Sequence, residues 1–109
     1  MNLEFITFLR LKQQKKGLGK TVIEQILKDI ELALQHKHKY NSEDFSLYLE
    51  DYLCDNYDEM HEENAEVTEL MNDEMPFICA EMEPMMNDTE FLRKLKIEYD
   101  KAKELYYGR

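Results

Sequence analysis

The sequence predicts an all-α fold: a single compact domain of about five helices. Apolar residues recur at intervals of three and four along most of the chain. Only three glycines and two prolines interrupt it, and no Asn-Gly or Asp-Gly pair marks a hairpin turn. Good helix formers fill the remainder. At 109 residues, with 43% apolar residues including seven Tyr and five Phe, residues 1–109 suffice for one domain around one small core.

Leu3 to Lys15 fits two readings, because Phe5, Ile6, Phe8, Leu9 and Leu11 suit either an amphipathic helix or a short buried strand; helix is preferred. Gly17-Leu18-Gly19 ends that segment. Thr21, with Glu24 three residues later, has the pattern of a capping box, and Ile23, Ile26, Leu27, Ile30, Ala33 and Leu34 form one buried stripe. The stripe fades into His36-Lys37-His38-Lys39, whose bases complement the negative end of a helix dipole. Asn41 or Ser42 caps the next helix, with Glu43 and Asp44 in its first turn and Phe45, Tyr48, Leu49, Tyr52 and Leu53 facing inward. At 100° per residue, Glu50 and Asp51 fall on the opposite face, with Leu47 and Cys54 between them. The apolar period lapses from Asn56 to Glu63. Asn64 then caps a helix with Val67, Leu70 and Met71 inside and Glu66, Glu69 and Asp73 outside. Pro76 lacks an N–H and clashes with the preceding turn. The sequence therefore predicts a break near Glu74 and a restart with Pro76 in the first turn, placing Phe77, Ile78 and Met82 in the core. Pro84 ends that piece. Asp88 or Thr89 caps the last helix, whose inner face is Leu92, Leu95, Tyr99, Ala102 and Tyr106.

Charge is the most informative feature for function. Residues 41–90 hold seventeen Asp or Glu and no Lys or Arg, a charge of −17, while the flanks carry about +4 and +3 within a net −10. Crowded carboxylates raise the self-energy of a compact chain, so a cationic partner is the natural complement. Phe45, Tyr48, Tyr52, Tyr57 and Phe77 lie inside the same segment, which marks it as a folded surface and not a disordered acidic tail. No apolar run approaches the roughly 20 residues that span a bilayer, and Met1 to Arg10 contains Glu4 and no basic leader; a cytoplasmic protein without membrane contact is expected. Cys54 and Cys79 lie 25 apart without CxxC spacing, so both are expected to be buried free thiols.

Sites of chemistry find little support. Gly19-Lys20-Thr21 matches the end of a phosphate-binding loop, but Gln14 stands where the first glycine belongs, so helix capping accounts for it. His36 and His38 diverge by about 200° on a helix and cannot share a metal, and His61 stands alone. Asp51 to Glu62 spans twelve residues with Asn56 at the position where a calcium loop needs glycine. Carboxylate pairs abound by number alone, yet nothing marks a nucleophile. No enzyme, metal or cofactor is therefore expected. Arg10, Lys12, Lys15, Lys16 and Lys20 could meet phosphates, but the acidic segment would repel the same backbone, so no nucleic-acid partner is expected.

The run Leu70-Met71-Asn72-Asp73-Glu74-Met75-Pro76-Phe77-Ile78-Cys79-Ala80-Glu81-Met82-Glu83-Pro84 closes an acidic helical segment covering about half the chain. This segment resembles that of small acidic bacterial immunity proteins, which neutralise a cognate secreted or contact-delivered toxin. The resemblance implies a cytosolic inhibitor that binds its toxin tightly, and it assigns no site residues. Nucleases are basic because they hold phosphodiesters, so a basic nuclease toxin is the expected partner. The contact is expected on Glu50, Asp51, Asp55, Asp58, Glu59, Glu66, Glu69 and Asp73, with Tyr57 as an aromatic anchor. The alternatives are a phage-encoded nucleic-acid mimic that inhibits a host defence nuclease and an acidic helical protein-interaction module.

Overall fold

The computed structural model describes residues 20–108, and within them the fold is all-α. The helix-or-strand reading of Leu3 to Lys15 lies outside the described residues. Five helices follow one another: α1 (Val22–Leu34), α2 (Ser42–Asp55), α3 (Tyr57–Glu63), α4 (Ala65–Ala80) and α5 (Thr89–Tyr107).

Each boundary has a local cause. Thr21 caps α1 with a full capping box: its hydroxyl accepts from the Glu24 N–H at 3.1 Å, and its own N–H donates to the Glu24 carboxylate at 3.2 Å. His36, in the left-handed region at φ 61°, turns the chain out of α1. Asn41 Oδ1 accepts from the Asp44 N–H at 2.8 Å to start α2, and Asn64 Oδ1 accepts from the Val67 N–H at 3.1 Å to start α4. Gly108, at φ 81°, closes α5 in the left-handed conformation that glycine adopts without strain. Asp88 stands at the N-cap of α5 as one of the two expected residues, but its side chain makes no cap bond: Asn87 accepts from the Thr89 N–H at 2.8 Å. Asp88 instead accepts from the Ser42 hydroxyl at 2.6 Å, tying the start of α5 to the start of α2.

One core joins all five helices. Ile23, Ile26 and Ile30 of α1 meet Phe45, Leu49 and Leu53 of α2, Met60 of α3, Val67, Met71 and Met75 of α4, and Leu95 of α5, all essentially fully buried. α4 packs against α2, α3 and α5, while α1 rests on α5, α3 and α2.

Four readings are corrected. Tyr57–Glu63 is helical although its apolar period lapses, because Met60 alone reaches the core and one buried residue is enough for two turns. α4 runs through Pro76 without restarting; Met75, Ile78 and Cys79 are buried around the proline, and their packing outweighs one missing hydrogen bond. Phe77 is 68% exposed, not in the core, since it continues the outward line of Glu66 and Asp73. Cys79 is buried as expected, but Cys54 is exposed beside Asp55 on α2.

Urea unfolding separates the two sides of α4. Met75→Ala should cost about 2–5 kcal/mol through the cavity it leaves. Phe77→Ala should shift stability by no more than about 0.5 kcal/mol, as surface changes do; equal losses at both positions would contradict the observed register.

Candidate protein-binding surface

The helices place the predicted contact residues on the outside. Asp51, Asp55, Asp58, Glu59, Glu66, Glu69 and Asp73 are exposed, and Tyr57 is 37% exposed. Glu50 departs from the expected outer face. It is half-buried on the flank of α2, close enough to Cys79 of α4 that its charge, after burial, helps push that thiol up to about 12. The outward strip of α2 is instead Asp44, Leu47, Asp51 and Asp55, with Leu47 at 58% exposure as an apolar group within the charge.

Across the junction at Asn56, α3 carries Asp58, Glu59 and Glu62 outward. Tyr57 stacks on the His61 ring with centroids 5.6 Å apart, and His61 Nε2 lies 3.3 Å from Glu69 Oε2 of α4. One cluster therefore links the aromatic anchor to the outer line of α4, Glu66, Glu69 and Asp73. Asp51 and Asp55 near the end of α2 and Glu59 in the first turn of α3 lie on either side of the junction at Asn56, and the charge of Glu59 is one of those felt by Tyr52.

Of the seventeen acids in residues 41–90, only Glu69, Glu81 and Glu90 have a basic partner among the described residues: His61, Lys94 and Arg93. Glu63 and Asp88 serve the fold. Glu63 accepts from the Ile23 N–H at 3.2 Å and from the Tyr106 hydroxyl at 2.8 Å, and so holds the start of α1 against α5. Asp51, Asp55, Asp58, Glu66 and Asp73 make no side-chain hydrogen bond or ion pair among the described residues. Asp51 and Asp55 also sit in the last turns of α2, where the exposed carbonyls already carry partial negative charge, and that helix end has no base to offset them.

A second polar group escaped the sequence reading because its members are distant in sequence. Asp29, on the buried side of α1, accepts from the Tyr48 hydroxyl at 2.5 Å and from Gln25 Nε2 at 3.1 Å, and His38 Nε2 lies 3.7 Å away. The Tyr40 N–H donates to His38 Nδ1 at 3.1 Å, which fixes that nitrogen as the acceptor and puts the neutral ring's proton on Nε2, facing Asp29. His38 is thus a packed residue among Tyr40, Phe45 and Tyr48. The available signal was Asp29 itself, a charge next to Ile30 in an otherwise apolar stripe. These bonds satisfy a buried carboxylate. Among the described residues, no group of His, Cys, Asp and Glu side chains could hold a metal ion.

Comparison with family models, with curated proteins and with solved structures finds no match to this chain. Among the described residues, no helix is long and apolar enough to cross a membrane.

Burial raises the ionisation of Tyr48, Tyr52 and Tyr99 above the ordinary tyrosine value and lifts Tyr106 to about 12, aided at Tyr48 by Asp29 and at Tyr106 by Glu63. A folded value above the unfolded one means that the native state holds more protons. The stability is fully present below about pH 10 and is lost as pH rises through the folded values. Alkaline titration should show helical circular dichroism lost together with a late rise in phenolate absorbance; ionisation of all seven tyrosines near pH 10 with the helix intact would contradict it.

Proposed function

We propose that this protein is an inhibitor of the immunity type, a binding protein and not an enzyme, which occludes a basic protein toxin, a nuclease domain, in the bacterial cytoplasm. The observation that carries the reading is the placement of Asp51 and Asp55 in the last turns of α2, against the helix dipole and without a base among the described residues. Charges that oppose the helix bearing them do not stabilise the free fold, whereas a cationic partner would turn them into attraction.

Leu47 and the stacked Tyr57–His61 pair supply what a purely charged surface lacks: apolar and aromatic area that holds its shape and can be desolvated. The acidic helical run ending at Pro84 gives the class of partner by resemblance. A nuclease meets the requirement on physical grounds, because its own surface is built to hold phosphates.

Co-expression with the product of the adjacent open reading frame should give a complex. Reversing Asp51, Asp55 and Glu59 to Lys together should weaken it by about 2 kcal/mol or more, roughly 30-fold in Kd. Reversing Asp100 and Glu104 on α5 should change it less than about threefold, the modest effect of charges outside a contact. A larger loss from the α5 pair would place the contact elsewhere.

A further inference from the structure

A second surface lies where the C-terminal end of α4 meets the N-terminal half of α5. Phe77 and Ile97, 68% and 45% exposed, line a cleft of about 210 Å³. A neighbouring cleft of about 440 Å³, lined by Met82, Met86 and Phe91, shares Ile78, Glu81 and Lys94 with the first. Met86 is 48% exposed, and thioether side chains adapt to differently shaped apolar partners. A large exposed aromatic beside an exposed isoleucine, opening onto methionines, is an apolar patch rimmed by charge.

Two observations state what would fill it. The lining is net negative: Glu74, Glu81, Glu90 and Glu98 face the clefts against only Lys94 and Arg93, which Glu81 and Glu90 already hold at 3.0 Å and 2.8 Å, leaving Glu74 without a base among the described residues. Independently, Glu98, which contributes to the wall of the first cleft, is buried. Its Oε2 accepts from Lys101 Nζ at 3.2 Å, but its Oε1 has no hydrogen-bond partner among the described residues. A buried carboxylate oxygen without a donor is a cost to the fold that a guanidinium or ammonium would remove.

We propose that this α4–α5 cleft docks a cationic amphipathic helix of a partner protein. The apolar side chains of that helix rest on Phe77, Ile97 and the methionines, and one of its Arg or Lys side chains pairs with the Glu98 carboxylate, which turns toward the cleft to meet it. The mode is helix-in-groove recognition, with apolar anchors at successive turns and charge setting the sign of the partner. The proposal goes beyond the acidic strip of α2 and α3 and stands whether or not that strip binds a toxin.

Fluorescence anisotropy on the full chain tests it, with three labelled peptides of equal length: an amphipathic Leu/Lys helix, its Leu/Glu counterpart and a Lys/Ser peptide of equal charge without an apolar face. The Leu/Lys helix should bind at least tenfold tighter than either of the others. Phe77→Lys with Ile97→Lys should weaken it at least tenfold while leaving helical circular dichroism unchanged, since both positions are exposed, and Glu98→Gln should weaken it at least threefold. The Asp51, Asp55 and Glu59 reversal should change it less than threefold, which separates this cleft from the α2–α3 strip. Equal binding of the Lys/Ser peptide, or no effect of the Phe77 and Ile97 pair, would overturn the proposal. So would sedimentation showing a dimer that the same pair dissociates. A tenfold gain when Arg10, Lys12, Lys15 and Lys16 are reversed to Glu would assign the cleft to the chain's own N-terminal segment and overturn it too.

Discussion

The burial of one side of α4 is the constraint on which the remaining architecture depends. Val67, Met71, Met75 and Ile78 recur at three and four and turn that side into the floor on which α2, α3 and α5 pack. Once that side is fixed, helix geometry leaves Glu66, Glu69, Asp73 and Phe77 no choice but solvent. The outer line is therefore a consequence of the core, and its chemistry is free to serve something other than folding. Pro76 underlines how strong the constraint is: a residue that ordinarily stops a helix is carried through because the turns around it are anchored by buried side chains.

The molecule separates the acids that the fold uses from those that it does not. Asp29 gathers Tyr48, Gln25 and His38, Glu63 joins α1 to α5 through Ile23 and Tyr106, and Asp88 ties α2 to α5 through Ser42. Each is a carboxylate with defined donors, as buried or half-buried polar groups require. Asp51, Asp55 and Asp73 have none among the described residues, and Asp58 and Glu66, though placed in the first turns of α3 and α4 where negative charge is favoured, have no side-chain donor either. Like charges concentrated in this way oppose the compact state and favour encounter with a cation, and that contrast within one small protein supports reading the outer acids as recognition groups.

Much of this was legible in the chain because its cause is local. The Thr21–Glu24 box, the Asn41 and Asn64 caps and the stripes of α1 and α2 are each set by residues within one or two turns. What the sequence concealed depends on tertiary packing. α3 carries a single core residue, so no period exists to find. The exposure of Phe77 follows from continuity through Pro76, which local rules argue against. Glu50 sits on the α4 side of α2, and its half-burial appears only once α4 is beside it. The Asp29–His38–Tyr48 group spans a helix, a turn and a second helix, and Glu98 was readable only as one more α5 acid until its burial was visible. Of the candidate surface, the acidic character and most member residues were evident from charge and helical phase; their division between the α2–α3 junction and the outer line of α4 was not.

The central claim is that the outer acids exist to meet a cationic protein, and the salt dependence of association tests it most directly. Raising salt from about 50 to 500 mM shortens the screening length from roughly 14 to 4 Å. If charge steers the encounter, the association rate constant with the co-expressed partner should fall at least several-fold while dissociation changes far less. An association rate that stays the same across that range would show that the acidic surface plays no part in recognition.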